Sequence, residues 1–168
     1  MCGIAGFVYE SYPYEAAKAA VRRMIAIQRH RGPDGEGFYD AAGVSLGHCR
    51  LAIIDLSHAG HQPMSALAGR YWITFNGEIY NYLELAAELR GFGYQFQGRS
   101  DTEVLLAAYC RWGKACLERL RGMFAFAIWD TKERHLFAAR DRLGIKPFHY
   151  WVDGNRHLAF ASELKALI

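Results

Sequence analysis

The sequence contains no long apolar run, no block of like charges and no closely spaced cysteines. Its apolar stretches are short and interrupted, so none is long enough to cross a membrane as a helix. The N-terminus lacks the basic and long apolar regions of a signal peptide. The four cysteines form neither a disulfide framework nor a zinc-binding pattern. We therefore expect a cytoplasmic protein with reduced thiols.

The charge of the chain is spread along its length. The formal net charge is +3, without a basic segment, which argues against nucleic acid as the main partner. The chain has 168 residues, enough for one domain with a sizeable core. No internal repeat, low-complexity segment or linker divides it. We therefore expect a single domain.

Apolar periodicity predicts three helices and many short strands. The helices are expected at residues 14–28, 82–89 and 101–112, with Asn81 and Ser100 as helix caps, and a shorter helix at 117–120. The strands are expected at residues 2–9, 37–39, 44–49, 70–75, 123–129, 136–139, 148–152 and 157–161. The last four strands form two hairpins, which favours an α+β layered fold built on antiparallel sheet.

Cys2 directly follows the initiator methionine. Removal of Met1 would leave a thiol and a free α-amine on one residue, and both groups titrate near neutrality. The amine can accept the thiol proton directly or through one water, so that one residue supplies nucleophile and base. In the alternative interpretation, Cys2 is a small apolar residue that begins a buried strand.

Asn76 and Gly77 also have two interpretations. The pair follows an apolar strand and predicts a tight turn, which is the usual role of Asn-Gly. A nucleophilic cysteine, however, needs donors for a tetrahedral oxyanion. The side-chain amide of Asn76 and the backbone N–H of Gly77 would be suitable donors.

Charged side chains provide candidates for recognising a free amino acid. Arg50 can hold an α-carboxylate in a forked pair, and either Asp101 or Glu78 can hold an α-ammonium group. In the alternative interpretation each of them is a surface charge or a helix-capping aid.

Eight blocks of the sequence, taken together and in order, carry a family resemblance. They are residues 1–6 (MCGIAG), 29–35 (RHRGPDG), 48–55 (HCRLAIID), 75–81 (FNGEIYN), 99–103 (RSDTE), 122–130 (GMFAFAIWD), 139–147 (ARDRLGIKP) and 160–167 (FASELKAL). The blocks resemble the class II glutamine amidotransferase domain. More narrowly, they resemble the glutaminase half of glutamine-hydrolysing asparagine synthetase.

The resemblance implies an N-terminal-nucleophile hydrolase fold, a four-layer αββα sandwich of two antiparallel sheets. It also implies a reaction in which Cys2 attacks the side-chain amide of L-glutamine and forms a thioester. The amine of Cys2 would carry the proton to the departing ammonia, and glutamate would be the second product. Asn76 and Gly77 would form the oxyanion hole.

The same resemblance assigns the substrate-binding residues. Arg50 would bind the α-carboxylate and Asp101 the α-ammonium group, with Glu78 nearby. The backbone of the segment after Arg50 would line the pocket, through Leu51, Ala52, Ile53 and Ile54. Arg31, Pro33 and Asp34 are expected to order a loop over the pocket, with a direct contact to the pocket as the alternative. The three cysteines other than Cys2 are expected to be packing residues.

The resemblance also implies what residues 1–168 do not contain. In the family's asparagine-forming enzymes a second domain binds ATP and magnesium, activates aspartate and receives ammonia through a channel. No nucleotide-binding loop of that kind occurs here. We therefore expect a glutaminase domain without a metal or cofactor. It is either excised from a longer synthetase or supplies ammonia to a separate one. A homodimer is possible on the sequence alone. The alternative is a catalytically silent module that senses glutamine or docks on a synthetase.

Overall fold

The computed structural model describes residues 1–168, which form two antiparallel sheets and three α-helices. The strands are β1 (Gly3–Val8), β2 (Gly35–Ala41), β3 (Val44–Arg50), β4 (Met64–Ala66), β5 (Tyr71–Ile79), β6 (Gly122–Asp130), β7 (His135–Arg140), β8 (His149–Val152) and β9 (Leu158–Ala161). The helices are α1 (Tyr14–Ile27), α2 (Tyr82–Gly91) and α3 (Asp101–Trp112). Short 3₁₀ turns occur at Arg29–Arg31, His58–Gly60, Gly113–Glu118 and Leu164–Ala166.

The two sheets pack face to face between two layers of helix. The first sheet has the order β2-β3-β1-β9-β8 and the second the order β4-β5-β6-β7. Helix α1 packs on β1 and β3 of the first sheet, whereas α3 packs on β4 and β5 of the second and against α2. The predicted four-layer αββα arrangement is therefore confirmed. None of the helices combines the length and the apolar character that a membrane crossing needs.

Strand β1 shows how alternation along a strand builds two cores. Ile4 packs between the sheets, while Ala5 and Phe7 pack on the side of α1, as the two-residue period of a strand requires. Gly6 shares the face of Ile4, and a Cβ atom there would lie 2.3 Å from the ring of Phe160. The missing side chain of Gly6 therefore makes room for the aromatic ring between the sheets.

Strand β5 continues through Asn76 and Gly77, so the predicted turn at this pair is wrong. The two residues pair with Ala125 and Phe124 of β6. A Cβ atom on Gly77 would lie 2.3 Å from the carbonyl oxygen of Met123. Glycine is needed here because the neighbouring strand approaches closely, and strand pairing overrides the local turn preference.

The two predicted helix caps have different outcomes. Ser100 caps α3 as predicted, because its Oγ accepts a hydrogen bond from the backbone N–H of Glu103 at 3.2 Å. Asn81 makes no capping bond to α2. Its side chain instead donates to the carbonyl oxygen of Arg119 at 2.9 Å and accepts from the backbone N–H of Arg121 at 3.0 Å. Asn81 therefore joins α2 to the segment that enters β6.

The buried face of α1 includes Ile25 but not Ile27. Ile27 is exposed, whereas Ile25 is fully buried. A Cβ atom on Gly47 of β3 would lie 2.6 Å from Cγ1 of Ile25. Ile25 faces inward because Gly47 has no side chain and leaves space for it in the sheet.

Phe160 provides a test of the packing between the sheets. Its ring is fully buried and stacks on Phe148 with the ring centroids 5.2 Å apart. We expect Phe160→Ala to lower the free energy of unfolding by about 3–5 kcal/mol, because it leaves a cavity in the core. Urea denaturation followed by circular dichroism measures this change. Tyr150→Ala is the matched control, since Tyr150 pairs with Phe160 across β8 and β9 but is 69% exposed; equal losses in the two variants would contradict the prediction.

Candidate active site

A cavity of about 380 Å³ opens beside the N-terminal end of β1. Its walls come from the start of the chain, the segment after β3, the middle of β5 and the start of α3. All of the site residues predicted from the sequence line this one cavity: Cys2, Arg50, Leu51, Ala52, Ile53, Ile54, Asn76, Gly77, Glu78 and Asp101. The fold thus brings together residues that lie up to a hundred positions apart in the chain.

Cys2 lies immediately before β1, with its thiol against the segment after β3. The backbone N–H of Leu51 donates to Sγ at 3.3 Å, and the thiol lies 3.6 Å from the Leu51 carbonyl oxygen. Burial raises the pKa of the Cys2 thiol above its ordinary value, and the Leu51 hydrogen bond only partly offsets this effect. The thiol is therefore protonated at neutral pH and needs a base before it can act as a nucleophile.

The backbone of Cys2 is held by a side chain that lies outside the cavity lining. Nε of Arg31 donates to the carbonyl oxygen of Cys2 at 3.0 Å, although Arg31 does not line the cavity. In the same loop, Asp34 Oδ2 accepts a hydrogen bond from the backbone N–H of Ala52 at 2.8 Å. The loop at 29–35 therefore supports the nucleophile and one wall of the cavity without lining the cavity, so the structure shows no direct contact of this loop with the pocket.

Asn76 presents an unpaired donor to the cavity. The residue is only 1% exposed, and its Nδ2 has no hydrogen-bond partner within the protein. A buried amide without a partner costs free energy. Because Asn76 lines the cavity, a ligand bound there is a candidate partner for this donor.

Arg50 shapes the wall of the cavity as well as lining it. Nη1 donates to the carbonyl oxygen of Ser57 at 3.0 Å, and Nη2 donates to that of Asp55. These bonds use two of the five N–H groups of the guanidinium. The remaining N–H groups are available to an anionic group in the cavity.

Asp101 is the first residue of α3 and a carboxylate without an ion-pair partner. It is 5% exposed, and Oδ2 accepts a hydrogen bond from the backbone N–H of Ile79 at 2.9 Å. The pKa of Asp101 is raised to about 6, chiefly by burial and to a smaller extent by the nearby Glu78, while backbone hydrogen bonds oppose the shift. A buried carboxylate that lacks a protein cation is suited to a cationic group of a ligand.

Two polar residues of the cavity wall were not predicted from the sequence. His48 is buried and its Nε2 donates to the carbonyl oxygen of Phe75 at 3.2 Å, while burial lowers the pKa of His48 to about 3. Gln62 Oε1 accepts from the backbone N–H of Phe75 at 2.7 Å, and Nε2 donates to Thr102 Oγ1 at 3.2 Å. The neutral histidine and the glutamine fix the backbone of the residue before Asn76.

Lys146 is a further cavity residue that sequence reasoning missed as a site residue. Its side chain is buried, and Nζ lies 3.2 Å from Sδ of Met1, which also lines the cavity. Lys146 belongs to one of the blocks that carry the family resemblance, at 139–147, so the signal was in the sequence. What the sequence lacked was any indication that the segment folds back onto the N-terminus.

Comparison with known proteins matches the whole chain to one family. Residues 1–168 match the sequence model of the glutamine amidotransferase domain. The chain is 45% identical over 170 residues to glutamine-hydrolyzing asparagine synthetase 3 of Bacillus subtilis, covering 100% of this chain and 27% of that protein. It is 42% identical over 169 residues to asparagine synthetase B of Escherichia coli, covering 100% of this chain and 30% of that protein. The chain therefore spans less than a third of the length of these relatives.

A solved structure shares the fold. The chain superposes on glutamine phosphoribosylpyrophosphate amidotransferase from B. subtilis with a TM-score of 0.82 and 24% identity. The match covers 98% of this chain and 42% of the other. It confirms the N-terminal-nucleophile hydrolase fold predicted from the sequence.

The raised pKa of Asp101 predicts a pH dependence of stability. The folded state holds the proton more tightly than the unfolded state does, so the free energy of unfolding falls as pH rises from about 4 through about 6. The shift from 3.8 to about 6 corresponds to about 3 kcal/mol. Asp101→Asn lacks this titration, so its stability relative to the wild type should increase over the same pH window. Urea denaturation of both proteins across this window measures the difference, and parallel pH profiles would contradict the prediction.

Proposed function

The chain belongs to the class II glutamine amidotransferase domain family, and we propose that it hydrolyses the side-chain amide of glutamine to glutamate and ammonia. One observation carries this proposal. A single cavity is lined by Cys2 with its thiol, by Asn76 with an unpaired amide donor, and by Asp101 with a buried carboxylate that has no ion-pair partner. A nucleophile, an oxyanion donor and an ammonium acceptor are what hydrolysis of this substrate requires.

The nucleophile in this mechanism is Cys2 after removal of Met1. The freed α-amine accepts the thiol proton, directly or through a water, and Sγ attacks the amide carbon of glutamine. The resulting ammonium group then protonates the leaving nitrogen, ammonia departs and a thioester remains. Water hydrolyses the thioester, which releases glutamate and restores the thiol. The raised pKa of the Cys2 thiol supports the need for a base so close to it.

Asn76 and Gly77 stabilise the oxyanion of each tetrahedral intermediate. The unpaired Nδ2 of Asn76 is a donor that no protein atom occupies, so it needs no rearrangement to bind the developing charge. Gly77 lines the same cavity, and its backbone N–H is the second donor in this proposal.

The two charged ends of glutamine bind to protein side chains of opposite charge. The N–H groups of Arg50 that the loop leaves free hold the α-carboxylate. Asp101 holds the α-ammonium group, with Glu78 as a second negative charge beside it. The backbone of Leu51 and the next three residues (Ala52, Ile53 and Ile54) forms the remaining wall.

The ammonia released here serves a second active site in our proposal. Residues 1–168 form the glutaminase domain, and a synthetase domain in the same polypeptide or in a separate partner converts aspartate to asparagine. This assignment rests on the relatives named as asparagine synthetases, of which the chain covers 27% to 30%. ATP and magnesium would belong to that second domain, because the hydrolysis described here needs neither. The alternative function, a silent glutamine sensor, would bind glutamine without releasing glutamate.

Cys2→Ala tests the nucleophile. We expect the variant to fold normally and to release no glutamate from glutamine, because no thiol remains at the cavity. Cys110→Ala is the control and should keep wild-type activity, since Cys110 does not line this cavity. Activity is measured as glutamate release, and mass spectrometry establishes that Met1 has been removed. The mechanism would be contradicted by glutamate release from the Cys2 variant or from protein that retains Met1. The sensor would be favoured if calorimetry showed that processed wild type binds glutamine without turnover.

Asn76→Ala tests the oxyanion hole. We expect kcat to fall by about a hundredfold to a thousandfold with little change in KM, because the lost hydrogen bond matters mainly in the transition state. Asn155→Ala, in the exposed turn between β8 and β9, controls for the loss of an asparagine amide. The assignment would be wrong if the Asn76 variant kept the kcat of the control.

A further inference from the structure

Two of the sequence blocks that carry the family resemblance contribute nothing to the cavity lining. These are residues 29–35 and 160–167. They lie far apart in the chain, yet the structure joins them by an ion pair between Arg31 and Glu163. Arg31 also contacts the backbone of Cys2. This junction has no part in the mechanism derived above, so its role needs a separate explanation.

Arg31 bridges the nucleophile and the carboxylate of Glu163. Nε donates to the carbonyl oxygen of Cys2 at 3.0 Å, and Nη1 donates to Glu163 Oε1 at 3.2 Å. The side chains of Arg31 and Glu163 are 11% and 19% exposed. Because the guanidinium is a rigid plane, fixing Nη1 also fixes the direction in which Nε points. The third nitrogen, Nη2, is buried and has no partner, so these two bonds alone orient the group.

The other partners of Glu163 lie on its exposed side. His30 Nε2 lies 2.8 Å from Oε1, and Lys165 Nζ lies 3.0 Å from Oε2. Both side chains are more than half exposed, and ion pairs of this kind contribute little to stability. The buried contact with Arg31 is therefore the one through which Glu163 acts on the interior.

Glu163 is itself fixed to the strand that carries the nucleophile. The preceding residue, Ser162, is buried and forms two hydrogen bonds with Ile4. Its backbone N–H donates to the Ile4 carbonyl oxygen at 2.9 Å, and its Oγ accepts from the Ile4 N–H at 3.0 Å. The contacts close a ring that runs from Cys2 through Arg31, Glu163 and Ser162 to Ile4, two residues from where it began.

We propose that Glu163 is a positioning residue for Cys2, which acts by fixing Arg31 against the carbonyl oxygen of the nucleophile. The proposal rests on the function proposed above. Glu163 touches neither the cavity nor the reacting atoms. It limits rotation of the Cys2 backbone, so that the thiol stays against Leu51 and the freed amine stays within reach of the substrate. Small displacements of reacting groups are costly: about 1 Å can lower a rate a hundredfold.

Substitution of Glu163 tests the ring. We expect Glu163→Ala to lower kcat by about tenfold to a hundredfold with little change in KM, because substrate contacts are intact while the nucleophile is less well held. Glu163→Gln keeps an acceptor oxygen for Arg31 and should restore most of the activity. Lys165→Met removes an exposed partner of the same carboxylate and should keep the wild-type kcat. Equal kcat values in all three variants, measured per folded molecule, would overturn the proposal.

Alkylation of Cys2 provides a readout that does not depend on turnover. The rate of its modification by iodoacetamide is followed by mass spectrometry of the N-terminal peptide as a function of pH. In Glu163→Ala we expect the midpoint of this pH profile to move to lower pH, towards that of an ordinary thiol, because the sulfur leaves its buried position. A role in stability alone would leave the midpoint of the folded protein unchanged, and that result would overturn the proposal.

Two further outcomes keep the inference and the proposed function separable. A shifted midpoint in a protein that releases no glutamate in any form would refute the glutaminase proposal and support the ring.

Where Glu163→Ala does not fold, Arg31→Lys replaces it. A lysine carries its donors on one rotatable ammonium group and lacks the rigid planar fork of arginine, so it cannot fix the Cys2 carbonyl in the same direction. The same shift is therefore expected, and its absence would overturn the inference.

Discussion

The site depends on the hydrogen bonding of β1 along both of its edges. A chain terminus normally frays, but β1 lies inside its sheet and pairs with β3 on one side and β9 on the other. The pairing with β3 begins at Gly3, so only Met1 and Cys2 project beyond it. Cys2 thus has no ladder pair of its own, but it is joined to a strand that is paired on both edges, and its backbone nitrogen stays outside the ladder. That combination is what a residue needs if its own amine is to serve as a base.

The cavity keeps polar groups in states that cost stability. Asp101 is a buried carboxylate without a cation, and Asn76 is a buried amide with an unpaired donor. The surrounding groups hold them in place. Gln62 accepts from the backbone N–H of Phe75 and His48 donates to its carbonyl oxygen, which fixes the residue next to Asn76. Both unpaired groups acquire partners when a zwitterionic amide substrate binds in the proposed way. Destabilised polar groups held by a rigid frame are the expected signature of a binding site rather than of a packing core.

Much of this architecture could be predicted from the sequence, and the failures have physical causes. Long periodic segments and the Ser100 cap depend on local interactions, and the structure confirms them. The turn predicted at Asn76 and Gly77 failed because the pairing with β6, more than forty residues away in sequence, outweighs a local preference. The three-residue strand β4 has too short an apolar pattern to be recognised. The chemistry of the individual side chains made the site residues candidates, but only the resemblance assigned them to one site, since their proximity in space has no local signal. The contact between Arg31 and Glu163, which are 132 positions apart, has no local signal either.

Met1 has a place in the cavity that gives its removal a second consequence. Its side chain lines the cavity and lies 3.2 Å from the ammonium group of Lys146. Cleavage of the bond between Met1 and Cys2 would free the α-amine and also clear this part of the cavity. The buried ammonium group of Lys146 would then lose its Met1 contact and border the space beside the nucleophile. In the proposed mechanism, one processing step therefore supplies the base and also opens the part of the cavity that lies between the nucleophile and Lys146.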